Sequence, residues 1–198
     1  MKAVHITLAA VALLGIAVES DGQTLTGAAL VNALRAGGNV IVMRHASSPS
    51  QIPDKPNPDN VPPERQLDEK GRAAATAMGA SLRRLKIPIG EVVTSPTYRA
   101  RETARLMGLP NPGSVPELGE GTGTMQAVSP LQTGWLLKKV RELPGNTNTV
   151  LVTHVPNISA AFAEIPPVDQ GEALVFAPVP KGDPRFVGRI KIEEWPGF

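Results

Sequence analysis

Hydrophobic positions fall into two rhythms along this chain. From Leu25 to Ala36 the apolar residues Ala29, Leu30, Ala33 and Leu34 recur at helical spacing, and Gly37-Gly38 closes the pattern. Asn39–Met43 (NVIVM) is a short β-branched run without alternation, which predicts a strand covered on both faces. Asp68–Leu85 returns to the helical period, with Ala75, Met78, Leu82 and Leu85 inward. Glu91–Thr94 predicts a second strand. Ser95-Pro96 then predicts an N-cap followed by proline at the first helical position, in a helix running through Met107. Ser129-Pro130 opens a fourth helix with Leu131, Trp135, Leu136 and Val140 on one face, closed by Pro144-Gly145. Thr147–Thr153 (TNTVLVT) is a third strand, Asn157–Ala163 a short helix, and Ala173–Val179 and Arg185–Glu194 closing strands. The aperiodic stretches Ser48–Pro63, with six prolines, and Asn111–Met125 read as loops. Strands that alternate with helices predict an α/β fold: one three-layer αβα domain over residues 21–198, around a central, mostly parallel sheet.

The first twenty residues do not fit that pattern. Lys2 precedes Ile6–Val18, an almost unbroken apolar run of 13 residues. That is short of the roughly 20 that a membrane-spanning helix needs and suits the core of a signal peptide. Val18-Glu19-Ser20 offers small residues where a signal peptidase reads, so residues 1–20 are expected to be removed after Ser20 and the protein to be periplasmic or secreted. No stable membrane insertion is expected thereafter. An N-terminal core helix or an uncleaved anchor is the other reading of the same run.

Composition narrows the chemistry. The 198 residues contain no cysteine, which excludes thiolate nucleophiles, disulfides and cysteine-ligated metal centres. Twenty Lys and Arg against 18 Asp and Glu, with 4% aromatic residues, give no basis for nucleic-acid binding. Only three histidines occur, His5, His45 and His154, and His5 lies in the segment expected to be lost.

The two remaining histidines stand at equivalent places. Arg44-His45 follows the first strand, His154 follows the third, and Arg99 lies one helical turn beyond the second. In a parallel sheet these strand ends share one edge, where ligands of open α/β sheets bind. Arginines bind phosphate bidentately, helix N-termini favour anions, and an imidazole can hold a phosphoryl group covalently. A zinc site is the rival reading, weakened by the lack of carboxylates at ligand spacing and by the two arginines. A pair of satisfied core histidines is the plainest one. No phosphate-binding glycine loop and no acidic metal cluster is present, so neither a metal nor any other cofactor is expected.

These segments resemble the histidine phosphatase superfamily, which includes the phosphoglycerate mutases. Val40–Ala46 (VIVMRHA) is similar to its Arg-His-Gly signature, with Ala46 in place of the glycine. Thr94–Ala104 (TSPTYRARETA) resembles its Ser-Pro-x-x-Arg-Ala-x-x-Thr-Ala stretch, and Val150–His154 (VLVTH) the segment of its second histidine. Arg65–Arg72 (RQLDEKGR) is similar to a helix start found between them, and Gly171–Val179 with Gly188–Trp195 resembles the end of exported bacterial members. The resemblance implies a phosphoglycerate mutase-like fold, with His45 as the nucleophile and Arg44, Arg99 and His154 completing a phosphate pocket. It implies a proton-donating glutamate in a Leu-x-Glu-x-x-Gly context, which Leu118-Gly119-Glu120 with Gly123 fits loosely. Glu120 is the first candidate; Glu117, Glu172 or no carboxylate at all are the others. Ser48 and Arg65, beside the proline-rich loop, are further candidates for phosphate or substrate contact.

The expectation is therefore a metal-independent phosphatase acting on a phosphomonoester or phosphoramidate through phosphohistidine. Its partner would be a phosphorylated small molecule, such as a cell-envelope sugar phosphate. A non-catalytic phosphosugar-binding protein and a mutase-type phosphotransferase are the alternatives.

Overall fold

The computed structural model describes residues 24–49, 64–120, 127–179 and 181–198. The signal-like segment 1–20 and most of the proline-rich loop lie outside the described residues.

Among the described residues, six strands form one sheet: β1 (Val40–Arg44), β2 (Ile89–Thr94), β3 (Gly113–Ser114), β4 (Asn148–Thr153), β5 (Ala173–Ala177) and β6 (Arg185–Ile190). Their order is β3-β2-β4-β1-β5-β6. β1, β4, β2 and β3 run parallel, while β5 lies antiparallel to β1 and to β6. Every residue of β4 is buried, and β1 is buried except at Arg44. Central strands wrapped on both faces need no polar alternation, which is why these two read as continuous apolar runs.

Among the described residues, five α-helices cover the sheet: α1 (Gly27–Ala36), α2 (Glu69–Arg84), α3 (Tyr98–Leu106), α4 (Pro130–Lys139) and α5 (Val155–Ala161). Successive strand residues point to opposite faces. Ile41 and Met43 join Leu34, Met78, Leu82, Ala104 and Trp195 in one core layer. Val40, Val42 and Leu151 join Leu118, Leu136, Val140 and Ile158 in the other. The result is the expected three-layer αβα arrangement with a mostly parallel sheet.

α2 begins where a chemical signal says it should. The Asp68 side chain accepts a hydrogen bond of 2.7 Å from Gly71 N, and the Ser47 hydroxyl donates to the other Asp68 oxygen at 2.7 Å. A Cβ on Gly71 would lie 2.2 Å from the Ser47 carbonyl oxygen. Only glycine lets the helix seat this closely against the segment that follows His45.

Several elements depart from the sequence reading. α3 starts at Tyr98 rather than beside Ser95, because the Ser95 hydroxyl faces His154 and the Glu64 carboxylate accepts from Tyr98 N instead. α5 starts at Val155, directly after His154, rather than at Asn157. α4 stops at Lys139, short of Pro144-Gly145. Leu131 is exposed: it sits about 140° around α4 from Leu136, off the face that meets the sheet. In α1 the larger Val31 takes the buried place expected for Ala29. The stretch from Asn111 contributes strand β3 and a 3-10 turn, Pro116–Leu118, within a region read as loop.

Candidate active site

The ends of β1, β4 and β2 are held in register. His45 N donates to Thr153 O at 3.1 Å, and Ser95 N donates to Val152 O at 2.8 Å. His45 and His154 therefore emerge on adjacent strands, with ring centroids 5.3 Å apart, and Arg99 reaches between them from α3. Both imidazoles and Arg99 are buried.

The hydrogen bonds define the state of each ring. His45 Nδ1 lies 2.8 Å from the Ala46 carbonyl, which can only accept, so Nδ1 carries the proton and Nε2 offers its lone pair. Arg99 Nε donates to that lone pair at 3.1 Å. Arg99 Nη2 donates to His154 Nδ1 at 3.3 Å, which leaves His154 Nε2–H to donate to Ser95 Oγ at 2.8 Å. Burial holds the His45 imidazole down at about 3, against 6.5 ordinarily; the Ala46 carbonyl opposes this, while His154, Arg99 and Arg44 reinforce it. His154 is likewise at about 3, through burial and then Arg99, Arg65 and Arg44. Both rings are neutral near pH 7.

Cations crowd the same edge. Arg44 lies at the end of β1, where burial first and Arg65 next hold its guanidinium below the ordinary range. Burial and Arg99 act on Arg65 in the same direction. Glu120 offsets part of this charge. Its Oε1 pairs with Arg99 Nη2 and lies 3.5 Å from His154 Nδ1. One carboxylate oxygen thus occupies the Arg99 nitrogen that a phosphate oxygen would take.

The structure brings Arg44, His45, Arg99, His154 and Glu120 together, with Arg65 at the margin, where its Nε donates to Pro49 O. It does not bring in Ser48, whose hydroxyl donates to the Gln66 carbonyl at 2.6 Å. Nor does it bring in Glu172, 2% exposed, whose two oxygens are both bound to Arg189 at 2.6 Å. At Glu117 the backbone carbonyl is engaged, by Asn157 Nδ2. Gly123 lies outside the described residues. Two participants were not singled out from the sequence. Ser95 orients His154, and Thr103 Oγ1 accepts from Ala46 N while donating to Arg99 O, joining the segment after His45 to α3. Thr103 stands four residues after Arg99, and that spacing on one helix face was the available signal.

Among the described residues, no three His, Asp or Glu side chains cluster as metal ligands. A cleft of about 660 Å³ opens beside Arg44, lined also by Ser47, Lys70, Ala74, Asp169 and Gln170.

A neutral imidazole lone pair ringed by guanidinium groups stands at the carboxyl edge of a parallel sheet, an arrangement chemically suited to an anion such as phosphate. Residues 40–121 match the histidine phosphatase superfamily (branch 1). His154 lies beyond the matched segment. The fold is shared with a protein histidine phosphatase, SixA, solved with tungstate: 20% identity, TM-score 0.59, covering 79% of this chain and 98% of that one. It is shared with the phosphoserine phosphatase of Entamoeba histolytica solved with 3-phosphoglyceric acid: 12% identity, TM-score 0.56, covering 76% and 95%. A mycobacterial glucosyl-3-phosphoglycerate phosphatase in complex with VO3 matches at 16% identity and TM-score 0.51, covering 71% and 92%. No curated protein matches the chain in sequence.

Proposed function

We propose that this chain is an exported, metal-independent phosphatase that hydrolyses a phosphomonoester or phosphoramidate through phosphohistidine on His45. The observation that carries the reading is the His45 tautomer. The bond from Nδ1 to Ala46 O aims an unprotonated Nε2 into a pocket of guanidinium groups.

In the proposed reaction the phosphoryl oxygens replace Glu120 on Arg99, with Arg44 and Arg65 adding charge. His45 Nε2 attacks phosphorus in line as the bond to the leaving oxygen or nitrogen breaks. The guanidinium groups stabilise the charge that builds on the equatorial oxygens. Glu120, released beside the leaving atom, takes up a proton from solvent and donates it. Water then attacks phosphorus, gives its proton to the Glu120 carboxylate, and the electron pair of the N–P bond returns to Nε2. The products are inorganic phosphate and the free alcohol or amine.

The cleft beside Arg44 is polar and shares that arginine with the phosphate seat. This supports a hydroxylated leaving group, such as the sugar of a cell-envelope sugar phosphate. Export rests on the apolar run Ile6–Val18. A panel of phosphomonoesters, assayed on residues 21–198 with EDTA present and with orthovanadate as inhibitor, tests the reading. Hydrolysis that resists EDTA and yields to vanadate supports it; activity abolished by EDTA and restored by a divalent metal would overturn it.

A further inference from the structure

The segment from Pro166 to Glu172, between α5 and β5, makes a convergent set of bonds to the residues around the nucleophile. Val168 O accepts from Arg44 Nη1 at 3.2 Å. Arg44 N donates to Glu172 O at 3.1 Å, and Gly171 N donates to His45 O at 2.9 Å. Gln170 Nε2 donates to Ser48 O at 3.0 Å. Arg44 Nε is buried without a hydrogen-bond partner, so the bond to Val168 O has few others to share the task of orienting this guanidinium.

The same segment is gripped from its other side by one ion pair. Glu172 accepts from Arg189 through both oxygens, and its Oε2 also accepts from Asp169 N at 2.8 Å. Arg189, on β6, donates in addition to Pro167 O at 3.1 Å and Pro166 O at 3.4 Å. Burial acts to raise the Glu172 carboxyl, but the Arg189 bonds and the Asp169 N–H outweigh it and hold it below the ordinary carboxylate range. One guanidinium thus fixes two adjacent carbonyls at the start of a short loop and the carboxylate that closes it. A forked, bidentate pair of this kind sets direction as well as distance.

We infer that Glu172 and Arg189 are positioning residues: their ion pair fixes the Pro166–Glu172 loop so that Val168 O aims the Arg44 guanidinium at the phosphoryl group. This rests on the phosphatase reading for the identity of the ligand. Neither residue touches substrate. Their effect is transmitted through Arg44, and so it falls on phosphate binding more than on the chemical step.

The test is a double-mutant cycle between Glu172→Gln and Arg44→Ala, read by calorimetric binding of orthovanadate and by kcat and KM. Glu172→Gln is expected to weaken vanadate binding and raise KM by about tenfold with kcat within about threefold, as loss of an oriented charge-assisted contact would. In the Arg44→Ala background the same change should shift vanadate binding by less than about twofold, because the residue it acts through is gone. Equal losses in both backgrounds, or a fall in kcat alone, would overturn the inference. If Glu172→Gln does not fold, Arg189→Lys takes its place: it keeps the charge, loses the fork, and should show the same dependence on Arg44. Vanadate binding reads the pair whether or not the protein turns over. A wild-type protein that binds vanadate yet hydrolyses no ester therefore counts against the phosphatase reading alone.

Discussion

Arg99 Nε donates a 3.1 Å hydrogen bond to His45 Nε2, so the lone pair proposed to attack phosphorus is covered by the cation proposed to bind the phosphate. Arg99 is held in turn by Glu120 and His154. The resting site is closed on itself, and an incoming phosphoryl group must take over the partners of Arg99 before His45 is free.

Glu120 therefore has two opposed effects on ligands. Glu120→Gln removes the carboxylate that competes with an anion for Arg99, so orthovanadate should bind about three- to tenfold more tightly. The same change removes the proposed acid, so kcat for an alkyl phosphate should fall by about a hundredfold. Inhibition and turnover measured on one preparation check both. Vanadate binding that is unchanged or weaker would show that Glu120 does not occupy the phosphate seat.

The two imidazoles make stability depend on pH in a stated direction. In the folded protein each stays neutral down to about pH 3, whereas in the unfolded chain each takes up a proton below 6.5. Between those values the unfolded state binds more protons, so stability falls as pH falls. The Glu172 contribution acts in the same direction but in a lower window: it is present above 4.5 and lost as pH drops through its folded value. Thermal unfolding from about pH 7 to about pH 5 isolates the histidines, and the fall in Tm there should shrink when both are replaced by asparagine.

Gly71→Ala should destabilise the fold by about 1–3 kcal/mol, because the added methyl meets the Ser47 backbone. Since Ser47 lies two residues after His45, kcat/KM should fall as well. Urea unfolding and steady-state kinetics on the same variant check the two together.

Ala74 lines the cleft beside Arg44. Ala74→Trp should raise KM for a sugar phosphate by about tenfold while leaving hydrolysis of acetyl phosphate within about twofold. An equal effect on both substrates would place the leaving group elsewhere.

Much of this architecture was legible in the residues. β1 and β4 are buried on both faces and so read as continuous apolar runs, and the polar residues that end them mark the ligand edge. Ser95 was legible only as a cap. A hydroxyl before proline has the same local spelling whether it caps a helix or orients an imidazole, and here the bond to His154 decides, across 59 residues of sequence. Ser48 and Glu172 looked available because their partners, the Gln66 carbonyl and Arg189, come from separate elements. Glu120 was legible as a candidate through its glycine context. Its place between Arg99 and His154 depends on how β2 and β4 pair, which no local pattern encodes.

The central claim is that His45 becomes phosphorylated during turnover. The most direct measurement is to mix the protein with a 32P-labelled phosphomonoester, quench in alkaline denaturant within the turnover time, and map the label by peptide analysis. The account predicts label on the peptide containing His45, stable in base and released by acid, and absent from His45→Ala, whose turnover falls by roughly three orders of magnitude. Full turnover by His45→Ala, or an actively hydrolysing wild type that never carries label on His45, would contradict it.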